Sequence, residues 1–264
     1  MTTLACCQFA PRFGDLDGNI ASVEAQIRAA VSAGADVVVL PELATSGYMF
    51  ADAAEARSLA LPASSPVFDT WAAIAGESVA VVGYCEIGDD GRLYNSAVAV
   101  GAGVLVHYRK THLWDREKLI FTAGDVRPPV VKTPHGVIAV MVCYDVEFGE
   151  LTRRAALDGA ELIVAPVNWP LFPRPVGERP GEVITAMSTA RTNKIAVAVC
   201  DRSGTERDQP WTEGSAIVDP DGWVVAAAGP GSGMALADVD LSVTHDKSLT
   251  EYVHLLADRR LDLY

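Results

Sequence analysis

Four short stretches, "ADVVVL" (35–40), "GVIAVMV" (136–142), "ELIVAP" (161–166) and "KIAVAVC" (194–200), are apolar at nearly every position. A strand with one wet face alternates apolar and polar residues. An unbroken run of branched residues this short therefore predicts a strand covered on both faces. Such strands need helices or a second sheet against them, and the intervening segments supply the helices. Ile20, Val23, Ile27 and Val31 fall at steps of three and four along one stripe, and Gly34 marks its C-terminal stop. Val67, Trp71 and Ile74 share a face over about 66–77. Further helices are expected over about 148–158 and 182–193. Strands are expected at 3–9, 79–86, 94–100 and 103–109, with a hairpin-like pair near 214–228. The strand–helix–strand order roughly repeats after residue 110, and "DGRLYNSAVAVGAGVLVHYRK" is echoed by "QPWTEGSAIVDPDGWVVAAAG". The chain reads as α/β, one domain over 1–264 built from two similar halves. Its tail, from about 243 to 264, has no clear core register and is expected to pack on a partner or wrap the surface.

Composition narrows what such a fold can do. Half of the 264 residues are apolar, enough for a sizeable core. A net charge of −13 with no local Lys/Arg cluster argues against nucleic acid and against an anionic membrane surface as partners. No apolar run approaches the ~18 residues that span a bilayer. The opening "MTTLACCQFAPRF" lacks the pattern of a signal peptide, so a cytoplasmic location is expected. The five cysteines, Cys6, Cys7, Cys85, Cys143 and Cys200, form no C-x-x-C pair and read as reduced thiols. "GAGVLV" (101–106) lacks the third glycine of a dinucleotide fingerprint, and no phosphate-binding loop or H-E-x-x-H spacing occurs. No metal and no cofactor is expected.

Chemistry in open α/β sheets gathers where strands end at their carboxyl edge. Here one predicted strand runs into Pro41-Glu42, another into Lys110, a third into Cys143, and a fourth leads to Asn168 and Trp169. Each residue alone has a bland reading: a solvated carboxylate, a surface lysine, a buried thiol. Together they are a base, a cation and a nucleophile, the minimum kit for acyl transfer through a thioester. A sharp strand-to-helix turn at Cys143 would aim the Tyr144 backbone N–H at the reacting centre. The helix start would favour a thiolate while Asp145 and Glu147 would oppose it, so a thiol protonated at rest and served by a dedicated carboxylate is expected.

"PELATSGY", "YRKTHLWDREKLIFTAGD" and "CYDVEFGE" resemble the three signature blocks of the nitrilase superfamily, the carbon–nitrogen hydrolases. The similarity runs from "CCQFAPRFGDLDGN" through "GSAIVDPDG" to the end of the chain. It implies a four-layer α-β-β-α sandwich of two mixed sheets with helices on the outer faces, pairing into a homodimer or larger assembly. It implies that Glu42 is the general base, Lys110 the oxyanion-stabilising cation, Cys143 the nucleophile, and Glu117 the second glutamate that orients the lysine. Two departures stand out: Gly149 lies where many members have proline, and Thr189 and Thr192 replace an arginine and a glutamate. The C-Y-D sequence resembles amidases more than C-W-E nitrilases. A small aliphatic amide is the expected substrate; a nitrile, a carbamoyl amine and acyl transfer to an amine are the alternatives on the same kit. Tyr48, Trp114, Tyr144, Phe148, Asn168, Trp169 and Phe172 are candidate pocket residues, with His112 nearby and expected to be structural. Glu147 stands where amidases of ω-amido acids carry arginine, so a neutral or ω-amino amide is expected over an acidic one.

Overall fold

A computed structural model describes residues 1–263 of the chain. Strand β1 (Thr2–Gln8) shows how the apolar runs are used. Leu4 and Cys6 point into the space between two sheets, whereas Ala5 and Cys7 pack under helices. After helix α1 (Leu16–Ser32), strand β2 (Val37–Val39) divides likewise, Val37 and Val39 inward and Val38 outward. With both faces dry, neither strand has a position free for a charged side chain.

The first half continues through α2 (Ala53–Ser58), α3 (Val67–Ala75), β3 (Val79–Ile87), β4 (Leu93–Gly101) and β5 (Gly103–Arg109). It ends with β6 (Val130–Thr133), and the second half begins with β7 (Gly136–Val140), α4 (Gly149–Leu157), β8 (Leu162–Pro166), α5 (Gly181–Asn193) and β9 (Ala196–Cys200). It continues with β10 (Thr205–Glu206), β11 (Gln209–Pro210), β12 (Ala216–Val218), β13 (Val224–Ala227) and β14 (Gly233–Val239), and ends in β15 (Ser248–Thr250) and β16 (Val253–His254).

Two six-stranded mixed sheets result, in the orders β14-β1-β2-β3-β4-β5 and β13-β12-β9-β8-β7-β6. Within each, three strands run parallel and the rest antiparallel. Val23 and Ile27 of α1, with Trp71 of α3, cover the outer face of the first sheet; Ile20, Val31, Val67 and Ile74 border them. Ala155 and Ala156 of α4 with Val183, Ala186 and Ala190 of α5 serve the second. Helix, sheet, sheet, helix is the architecture that the resemblance implied.

The halves exchange their last strands. β6 follows β5 in the chain yet pairs with β7, and β14 follows β13 yet pairs with β1. The hairpin near 214–228 is the last strand pair expected from the sequence; β14, α2 and β6 are additional to the expected elements. β14 is an edge strand of mixed exposure, so it lacks the continuous apolar signal of the central strands. No helix among the described residues is long and apolar enough to cross a membrane. Part of the tail is fastened to the end of α5. The Lys194 ammonium donates to the Ser248 carbonyl at 2.7 Å, and Lys247 donates to the Lys194 carbonyl at 2.9 Å. Tyr264 lies outside the described residues.

Candidate active site

Four strand exits meet at the seam between the sheets: β2 and β5 from the first, β7 and β8 from the second. The Asn168 amide donates to the Glu42 carbonyl at 2.8 Å, and the Glu42 N–H donates to the Val167 carbonyl at 3.4 Å. The Cys143 thiol faces the Asn168 carbonyl at 4.0 Å. Backbone strain concentrates here. Leu43, directly after Glu42, has φ +48°, and Cys143 has φ +47° as it opens the 3₁₀ turn Cys143–Glu147. Left-handed backbone at a non-glycine residue costs roughly 1–3 kcal/mol and persists only where the surroundings enforce it. Gly83 is part of that enforcement. A Cβ there would lie 2.5 Å from the Glu42 Cα and 2.6 Å from the Pro41 oxygen, so only glycine lets β3 pass under the Glu42 turn.

The polar centre is closed off from the surface. Glu42 and Lys110 are both fully buried. The Lys110 ammonium donates to Glu42 Oε1 and to Glu117 Oε1, each at 2.7 Å. Asn95 Nδ2 donates to Glu42 Oε1 at 2.7 Å and to Glu117 Oε1 at 3.4 Å. The Tyr48 hydroxyl donates to Glu117 Oε1 at 2.6 Å. Glu42 Oε2 is buried and has no hydrogen-bond partner among the described residues, leaving it free to take a proton. Burial pushes Glu42 up to about 7, against the pull of Lys110. Burial alone would lower Lys110, but Glu117 and Glu42 hold it well above the usual lysine range. Burial and the Glu42 charge raise the Cys143 thiol well above its usual value, and Lys110 only partly opposes them. The thiol is protonated at rest.

Asp145 was expected to oppose a thiolate. It is instead buried and takes hydrogens from the Val142 and His112 backbone N–H groups, the Tyr108 and Thr111 hydroxyls and His112 Nδ1. Its work is structural: one carboxylate ties the exit of β5, which carries Lys110, to the turn that carries Cys143. Glu147 keeps much of its surface in contact with solvent; burial of the rest and Glu182 at the start of α5 raise its pKa, while Lys110 pulls the other way.

The aromatic candidates form a chain of ring contacts. Phe172 lies 6.5 Å from Trp114, Trp114 4.9 Å from Tyr144, Tyr144 4.9 Å from Phe148, and Phe148 stacks on His112 at 3.7 Å. Trp169 is instead buried, with its backbone N–H donating to Asp201 at 3.0 Å and its ring against Gly214. Asn95 and Gly83 escaped the sequence reading. An asparagine inside an apolar strand, "LYNSAVAV", is the one signal that could have found the first, because a buried amide demands polar partners. Among the described residues no group of three or more His, Cys, Asp or Glu side chains is arranged to hold a metal ion.

The family model for carbon–nitrogen hydrolases matches residues 3–247. A protein named nitrilase from Pyrococcus abyssi is 32% identical over 100% of this chain and 99% of its own. An (R)-stereoselective amidase from a Pseudomonas species is 33% identical over 97% of this chain and 90% of its own. Among solved structures, the amidase of Nesterenkonia sp. AN1 superposes with a TM-score of 0.80 at 26% identity, covering 100% of this chain and 98% of that one. A Glu→Gln variant of that amidase carries acrylamide added to its active-site cysteine. The chain belongs to the carbon–nitrogen hydrolases of the nitrilase superfamily, and it is an enzyme of that class.

Proposed function

We propose that the seam is the active site of a cysteine amidase, which converts a small aliphatic amide to its carboxylic acid and ammonia through a thioester. The observation that carries this reading is the Lys110 ammonium shared between Glu42 and Glu117, with Glu42 Oε2 left unpaired beside a protonated thiol. Glu42 takes the Cys143 proton as sulfur bonds to the amide carbonyl carbon. Lys110 and the Tyr144 N–H hold the oxyanion. Glu42, now protonated, gives that proton to the amine nitrogen as the C–N bond breaks and ammonia leaves. It then takes a proton from water, whose oxygen attacks the thioester; the C–S bond breaks and the sulfur recovers its proton. A carboxyl group poised near 7 suits both directions of transfer at neutral pH.

The substrate is a neutral or ω-amino amide. Glu182 lies close enough to Glu147 to raise its pKa, and a carboxylate on the substrate would meet both. The Nesterenkonia amidase has been solved with butyramide bound, which supports a small aliphatic amide. The test is ammonia release from butyramide, 5-aminopentanamide, glutaramate, a carbamoyl amine and a matched nitrile, wild type against Cys143→Ala. Release from the amides that vanishes in the variant is the expected result. Release that survives Cys143→Ala sinks the mechanism, and glutaramate as the best substrate by kcat/KM sinks the charge preference.

A further inference from the structure

Tyr48 is gripped by a hairpin from the other half of the molecule. The Glu206 carboxylate accepts the backbone N–H of Tyr48 at 2.7 Å and of Met49 at 2.6 Å through a single oxygen. The neighbouring Arg207 guanidinium donates to the Met49 carbonyl at 2.9 Å, so one peptide segment is held from both ends of its polarity. Gly47 makes room for this. It has φ +83°, and a Cβ there would lie 2.7 Å from Glu206 Oε2. The strands β10 and β11 are only two residues each, and their turn places Arg207 (φ +48°) and Asp208 (φ +67°) in the left-handed region. Strain of that kind in two adjacent non-glycine residues points to a demanded geometry.

Glu206 is itself fixed from behind. It is buried against Arg202, which is 1% exposed; the two are ion-paired and Arg202 also donates to the Pro11 carbonyl at 3.1 Å. The Arg202 guanidinium lies 5.0 Å from the centroid of Trp211, and Trp211 packs edge-on against the Tyr48 ring at 5.2 Å. Arg202 therefore reaches Tyr48 by two routes, through the Glu206 carboxylate to its backbone and through Trp211 to its ring. Burying an ion pair is no bargain for stability compared with apolar packing, so the pair is better explained by the orientation it imposes.

We propose that Glu206, oriented by Arg202, is a positioning residue that aims the Tyr48 hydroxyl at Glu117 and so fixes the carboxylate that shares Lys110 with Glu42. This rests on the amidase reading above for the roles of Lys110 and Glu117. It is distinct from that reading in one respect: Glu206 touches no reacting group and acts only through Tyr48.

The experiment is a double-mutant cycle on amide hydrolysis with Glu206→Gln, Tyr48→Phe and the pair, each with a thermal melt. Glu206→Gln removes the charge opposite Arg202, and Tyr48→Phe removes only the hydroxyl. Each single change is expected to lower kcat by roughly 10- to 100-fold, the scale of a small misplacement of catalytic groups, with KM moving less. The pair is expected to be no worse than the poorer single variant, because both cut the same link. Effects that multiply would overturn the proposal, as would a Glu206→Gln enzyme with lowered Tm and wild-type kcat. Glu206→Asp keeps the charge toward Arg202 while shortening the reach to Tyr48. It gives the same cycle should the Gln variant not fold. Activity that survives Cys143→Ala refutes the amidase reading separately, since the cycle reads coupling between Glu206 and Tyr48.

Discussion

The two halves of the chain can be laid on one another strand by strand, with β1, β2, β3, β4 and β5 answering to β7, β8, β9, β12 and β13. Where β2 leaves its sheet the residues are Pro41 and Glu42, with the Gly83 N–H donating to the Pro41 carbonyl at 3.2 Å. Where β8 leaves, they are Pro166 and Val167, with Pro166 opposite Cys200. The same exit thus carries an acid over glycine in one half and valine over cysteine in the other. The β5 exit gives Lys110, while β13 ends at Ala227. The β7 exit gives Cys143, while β1 ends at Gln8. Both halves build the scaffold, but each contributes different chemistry to one seam. The acid and the cation come from the first half and the thiol from the second.

Lys110 tests that division most severely. Lys110→Ala leaves Glu42 and Glu117 buried with no counter-charge. Breaking a buried pair in this way costs about 3–5 kcal/mol. Loss of an oxyanion donor lowers kcat by about 10²- to 10³-fold or more. The stability loss should be smaller near pH 5, where Glu42 takes a proton, than at pH 8. Equal melts at both pH values would mean that the two carboxylates do not depend on the lysine.

Gly83 offers the next largest effect, by carrying the second half's residue into the first. Gly83→Cys places a side chain 2.5 Å from the Glu42 Cα. The turn must shift, at about 1–3 kcal/mol for the overpacking and about 100-fold in kcat for the displaced base. At the counterpart position, Cys200→Ala costs packing but leaves kcat near the wild-type value, because it removes only the sulfur and keeps the Val167 N–H on the residue 200 carbonyl. A wild-type kcat in Gly83→Cys would show that the two exits are not the counterparts the register implies.

That contrast also marks what the sequence could reveal. Central strands were legible because burial on both faces writes itself as an unbroken apolar run, and Glu42, Lys110 and Cys143 stand where such runs or their neighbours stop. The strand exchange was not legible. β14 is an edge strand whose partner lies at the other end of the chain, and no local pattern encodes that pairing. The structural part of Asp145 was hidden for a related reason. A charge beside a thiol in sequence suggests a charge acting on it, but not the five hydrogens from β5, its exit and Val142 that also make it a fastening. Gly83 shows nothing locally, since its reason is the backbone that crosses it.

Protonation gives a third, smaller test. Glu42 in the first half and Asp201 at the exit of β9 in the second are both pushed up to about 7, chiefly by burial. Their ordinary values are near 4, so between about pH 4 and 7 the folded chain holds protons that the unfolded chain has released. More protons in the native state means that stability from these groups is present at low pH and falls as the pH rises toward 7. Activity moves the other way, because kcat/KM needs Glu42 ionised and should rise through about 7. Glu42→Gln should abolish activity and flatten part of the stability decline, leaving the share due to Asp201. A melt profile unchanged by Glu42→Gln between pH 5 and 7 would place the proton elsewhere.

The smallest effect belongs to Gly149 at the start of α4. Gly149 is exposed, has ordinary backbone angles, and a Cβ added there meets nothing within 4 Å. It opens the helix that follows the Cys143 turn but touches neither the thiol nor the seam. Gly149→Ala should therefore raise stability by about 0.4–1 kcal/mol, mainly by restricting the unfolded chain, with kcat unchanged. That outcome would separate the helix start from the strained turn just before it. A fall in kcat would instead mean that the freedom of Gly149 is used in catalysis, and that the second half contributes motion to the seam as well as the thiol.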